Sequence, residues 1–106
     1  MKIGTLEAGE YGMASINVGR YPSGGAIYVQ LHCEDGEPLA TFSTNLVPYG
    51  AKVNQDEFNV KVWGENEQFV EKMMATGLFE DTGRYAPTGN VDSPIWRMTA
   101  PAHVPQ

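Results

Sequence analysis

The sequence predicts an α+β domain, an antiparallel β-meander sheet of about four to six strands packed against one α-helix. Three observations point there. Twelve glycines and 7 prolines are spread along all 106 residues and cut the chain into short segments. Several segments alternate apolar and polar residues with the period of a strand, and after Gly64 the period changes to that of a helix. Hydrophobic residues make up 42% and charged residues 19%, which supplies a core and argues against disorder.

Lys2 to Leu6 forms a short first strand, with Ala8-Gly9-Glu10 as its turn. Met13 to Arg20 and Ala26 to Cys33 are the next two strands, separated by the turn signal Tyr21-Pro22-Ser23-Gly24-Gly25. In the second of these, Ile27, Val29, Leu31 and Cys33 point to the core, while Tyr28, Gln30 and His32 point away. Glu34-Asp35-Gly36-Glu37-Pro38 is a hairpin turn built on Asp-Gly. Leu39 to Leu46 follows as a strand with Ala40, Phe42, Thr44 and Leu46 on one face, and Val47-Pro48-Tyr49-Gly50 ends it. Glu57 to Trp63 alternates again, with Phe58, Val60 and Val62 on the core side and Trp63 opposite.

The helix is expected over Glu67 to Thr76, capped by Asn66, with Phe69, Val70, Met73 and Met74 as its apolar stripe. Gly77 supplies the left-handed residue that stops it. Asp81-Thr82-Gly83 and Pro87-Thr88-Gly89-Asn90 read as turns, and Pro94 to Ala100 as the last strand, with Trp96 and Met98 on one face. Residues 1–100 make a single domain, and 101–106 are expected to form a flexible tail.

Composition excludes several function classes. Seven basic residues against 13 acidic ones give a net charge of -6, and the bases are scattered. Nucleic acid and anionic membrane surfaces both call for clustered Lys and Arg, so neither is expected as a partner. No apolar run is long enough to span a bilayer, and the N-terminal residues lack the apolar core of a signal peptide. A single cysteine excludes an internal disulfide and suits a reducing, cytoplasmic setting.

Motifs for catalysis are missing. His32 and Cys33 are adjacent, and neighbours on a strand face opposite ways, so they do not converge on one metal ion. No metal and no cofactor is implied. The chain has neither a nucleophile elbow, nor a P-loop, nor a dinucleotide fingerprint. Two acidic groups remain: Glu34, Asp35 and Glu37 in the hairpin turn, and Glu65 and Glu67 with Glu71 near the helix start. On exposed segments such carboxylates are ordinary solvated charges unless a partner meets them. Trp63, beside the second group, is an interface anchor if nothing in the fold covers it.

The stretch Gln30-Leu31-His32-Cys33-Glu34-Asp35-Gly36-Glu37-Pro38, with Ala40-Thr41 and Asn45-Leu46, resembles a family of small accessory proteins classed as a domain of unknown function. Members are carried on conjugative elements, plasmids and phages. Asp56-Glu57-Phe58-Asn59-Val60-Lys61, Glu65-Asn66, Gly77-Leu78 and Thr82-Gly83-Arg84 follow in the same order, so the likeness runs from Ala26 to Met98. Lys61-Val62-Trp63-Gly64 is more apolar than the family's version. The resemblance implies a role serving the element against its host, including inhibition of restriction or CRISPR systems, and it implies no catalytic residues.

The expected function is therefore non-enzymatic binding of a protein partner with a basic surface. The candidate contact residues are Trp63, Glu65 and Glu67, together with Glu34, Asp35 and Glu37. Two alternatives stand beside it. One is a small hydrolase using Asp81, Arg84 or the Glu65 group. The other is a ligand-binding module with an anion nest of turn amides at Gly83 and Gly89.

Overall fold

A computed structural model describes residues 1–106. Eight strands form two antiparallel four-stranded sheets. β1 (Lys2–Glu7), β2 (Met13–Arg20), β3 (Ile27–Cys33) and β4 (Pro38–Thr41) pair in sequence order, which is the expected meander. The second sheet holds β5 (Ser43–Thr44), β6 (Glu57–Val60), β7 (Phe79–Pro87) and β8 (Asp92–Met98) in the order β5-β6-β8-β7. Both β6 and β7 run antiparallel to β8, so they point the same way. Such a pair needs a long crossover, and the helical segment supplies it. No helix is long and apolar enough to cross a membrane.

The strand expected over Leu39 to Leu46 is one bent run that changes sheets at Phe42. The Phe42 N–H donates to Val29 O at 2.8 Å, in the first sheet, and its carbonyl accepts from Lys61 N–H at 2.9 Å, in the second. Ser43 secures the corner, its Oγ accepting the Val29 N–H at 2.9 Å. The Phe42 ring is fully buried and meets Trp96 at 5.4 Å between centroids, while Trp96 also meets Phe58 and Phe79. Ile16, Val18, Ile27, Val29 and Leu31 fill the same core from the first sheet.

The helical segment starts earlier than its periodicity implies. Gly64–Phe69 is a 3-10 helix that runs into α1 (Val70–Ala75). Phe69 and Met73 are buried as expected, with Val70 and Met74 half-buried beside them. Asn66 does not cap. Its side chain is fully buried, and its Nδ2 donates to Thr41 O at 2.8 Å and Lys61 O at 2.9 Å, tying the segment to the bent strand and to the end of β6. Gly77 follows with φ 76°, the left-handed conformation that ends the helix. α1 packs on β1 and β7, the outermost strands of the two sheets, and so joins them.

Three local expectations need correction. Asp81-Thr82-Gly83 lies within β7, where the pairing with β8 is interrupted between Asp81 and Tyr85. Gly83 adopts φ 82° in that bulge, so a glycine signal that reads as a turn in sequence marks an irregular strand. Cys33 ends β3 on the core face, opposite Ala14, but is only half-buried, because it stands past Leu31 at the margin of the core, beside the exposed turn. Strand β6 stops at Val60, and all four of its residues are buried, Glu57 and Asn59 included. The side chains that alternate with Phe58 and Val60 are thus withdrawn from water as well, with Glu57 bonded to Asn54 N–H and to Arg84.

The C-terminal residues expected as a tail form a 3-10 turn, Pro101–His103, and Pro105 O accepts from Arg20 Nε at 3.2 Å and Nη2 at 3.0 Å.

Candidate functional site

The junction between β6 and α1 presents Trp63, Glu65 and Glu67 together on one short segment. Trp63 is half-buried in extended conformation just before the 3-10 helix, outside the cluster of Phe42, Phe58, Phe79 and Trp96. Glu65 and Glu67 are exposed on either side of the buried Asn66. A helical turn with one residue anchored in the core must turn its neighbours outward, so the Asn66 bonds that fix the segment also fix the display of both carboxylates. Lys61 Nζ reaches Glu65 Oε1 at 3.4 Å. The Glu65 backbone N–H, and then Lys61, hold the Glu65 carboxyl below the ordinary carboxylate range.

Glu34, Asp35 and Glu37 are also exposed, on the β3–β4 turn. Asp35 Oδ1 accepts the Glu37 N–H at 3.0 Å, which organises the turn itself. The two acidic groups are not brought together. The junction is tied to Thr41, at the far end of β4 from the turn, a four-residue strand length of about 10–13 Å away. His32 sits in a polar ladder, with Asn17 Nδ2 at 3.2 Å from Nδ1 and Gln30 Oε1 at 3.0 Å from Nε2. Its ring is engaged on the face opposite Leu31, and no group of three His, Cys, Asp or Glu side chains converges.

The residues weighed for hydrolysis are each employed locally. Asp81 Oδ1 accepts the Gly83 N–H at 2.9 Å, Arg84 pairs with Glu57, and Glu65 pairs with Lys61. The Gly83 amide is therefore already taken by a carboxylate of its own bulge, and the Arg84 amide donates to Thr82 Oγ1 at 3.2 Å, so the nest proposed there has no free donors at those positions.

One ionic group escapes sequence reasoning. Glu57 is only 1% exposed, yet carries a carboxylate that accepts Asn54 N–H at 2.7 Å and bonds the Arg84 guanidinium. Burial pushes its pKa up, but Arg84 and the Asn54 N–H pull harder, and the net value lies below the ordinary range. Glu57 alternates with Phe58 as any solvent-facing strand residue does. Nothing local marks its burial, and Arg84, its ionic partner, is remote in sequence.

Comparison with protein-family models, curated proteins and solved structures returned no match for this chain.

Proposed function

We propose that this domain works by binding a protein partner, as a non-catalytic accessory protein of a mobile element, with inhibition of a host defence complex as its sharpest form. The observation that carries the reading is the junction. Asn66 and Phe69 anchor it in the core, and it holds two carboxylates in water beside a half-exposed tryptophan. A segment fixed before binding loses little entropy on association, and tryptophan is the residue most enriched where binding energy concentrates. The carboxylates speed encounter with a basic surface and select it, while the ring supplies desolvation. The mobile-element context rests on the resemblance of Ala26 to Met98 to that family.

Affinity capture from a bacterial host lysate tests the reading. The wild-type chain is compared with a Glu65→Lys/Glu67→Lys variant, with Trp63→Ala, and with a Glu34→Lys/Glu37→Lys control. Mass spectrometry is expected to find a protein retained by the wild type and the control and lost from both junction variants. An identical set of proteins from all four chains contradicts the proposal.

A further inference from the structure

A groove of about 810 Å³ lies away from the junction, between the β2–β3 turn, the loop 47–55 and the C-terminal segment. Its charge is opposite to that of the protein. Of the 7 Lys and Arg side chains, Lys61, Lys72, Arg84 and Arg97 are held in ion pairs, leaving Lys2, Arg20 and Lys52. Arg20 and Lys52 both line this groove, and no Asp or Glu side chain does.

The geometry points to a binding site for a phosphorylated small molecule of nucleotide size, its phosphoryl group held between Arg20 and Lys52. Arg20 is preorganised: Nε and Nη2 bond Pro105 O at 3.2 and 3.0 Å, and Nη1 bonds Gly25 O at 3.2 Å. These acceptors are carbonyls, so they fix the guanidinium without neutralising it, and part of its N–H fork stays free for an oxyanion. Lys52 is exposed and forms no ion pair. The backbone N–H groups of Lys52, Val53 and Gln55 donate to nothing in the protein, and the Asn54 N–H bond to Glu57 holds their loop in place. Two unpaired cations and a loop with unbonded amides thus line the same groove, the donor set that a phosphoryl group calls for. Val47, Val53 and Val104 give the same groove apolar lining for the rest of the ligand, with Asn54 and Gln55 to bond polar ring atoms. The volume falls within the range of small-molecule sites, about 300–1,000 Å³. A pair of cations inside a groove of a net-negative protein also concentrates anions there.

The test is calorimetric titration of the full chain with ADP, pyrophosphate and adenosine at low salt. Saturable binding of ADP or pyrophosphate, with none of adenosine, is the expected result. ADP binding more tightly than pyrophosphate assigns the apolar lining to the body of the ligand, and equal binding assigns the site to phosphate alone. Lys52→Glu makes no change to an internal bond and is expected to weaken binding at least tenfold. Arg20→Lys keeps a charge but loses the fork, and is expected to weaken it as well. A chain lengthened by a short Gly-Ser extension after Gln106, which moves any free α-carboxylate from the rim, is expected to bind at least as well as the parent. No saturable binding of either phosphate compound at millimolar concentration overturns the proposal. So does binding that Lys52→Glu leaves unchanged.

Discussion

Phe42→Ala is expected to lower the unfolding free energy by about 3–5 kcal/mol, the range for deleting a fully buried phenylalanine ring. The position is unusually exacting. The Phe42 backbone bonds both sheets, and its ring packs on Trp96, which in turn meets Phe58 and Phe79. Neighbours fixed by two sheets cannot collapse into the space left behind, so the cavity persists and adds to the lost transfer energy. Urea denaturation followed by tryptophan fluorescence measures the effect. A loss below about 1 kcal/mol would mean that the two sheets do not share a core at this corner.

Arg84→Ala is expected to cost about 2–3 kcal/mol at neutral pH. Removing one member of a buried pair strands the other, and the value sits below the usual cost because the Arg84 side chain is 48% exposed and water replaces part of it. Adding Glu57→Gln to Arg84→Ala removes the stranded charge, so the double variant is expected to regain part of the loss. The acid side gives a second readout. The folded-state pKa of Glu57 is depressed, so its stabilisation is fully present above the unfolded value of about 4.3 and is lost as pH falls through the lower folded value. Wild type and Arg84→Ala are therefore expected to converge in stability as pH drops below about 4. A constant difference across that window would show that Arg84 acts through packing alone.

The local alternation of the first sheet was legible because its residues obey one rule each. Ile27, Val29 and Leu31 are buried on a regular strand, and the turns around them carry their own chemistry in Tyr21-Pro22-Ser23-Gly24-Gly25 and Asp35-Gly36. The stripe of Phe69 and Met73 was legible for the same reason. What failed to show were features created by contacts remote in sequence. The switch at Phe42 needs Val29 and Lys61 on its two sides, and the buried carboxylate of Glu57 needs Arg84 from β7. In β7 the bulge between Asp81 and Tyr85 shifts the phase of alternation, so a nine-residue strand reads as a turn. The candidate site divides in the same way. Exposure of Glu65, Glu67 and the hairpin acids follows from local pattern, whereas the anchoring of the junction through Asn66 to Thr41 does not. Arg20 and Lys52 line one groove only because the chain brings a loop and its C-terminal segment beside the β2–β3 turn.

The most direct measurement of the proposed binding mechanism is the salt dependence of the dissociation constant for a partner captured as above. At about 0.1 M salt the Debye length is about 10 Å, and it shortens further as salt rises, so contributions from exposed charges fade. Glu65→Lys/Glu67→Lys is predicted to weaken binding strongly at low salt and much less at high salt. Trp63→Ala is predicted to weaken it at every salt concentration, with circular dichroism showing an intact fold, and the Glu34→Lys/Glu37→Lys control to leave it nearly unchanged. Binding abolished by reversing the hairpin turn, with both junction variants binding as the wild type does, would contradict the account.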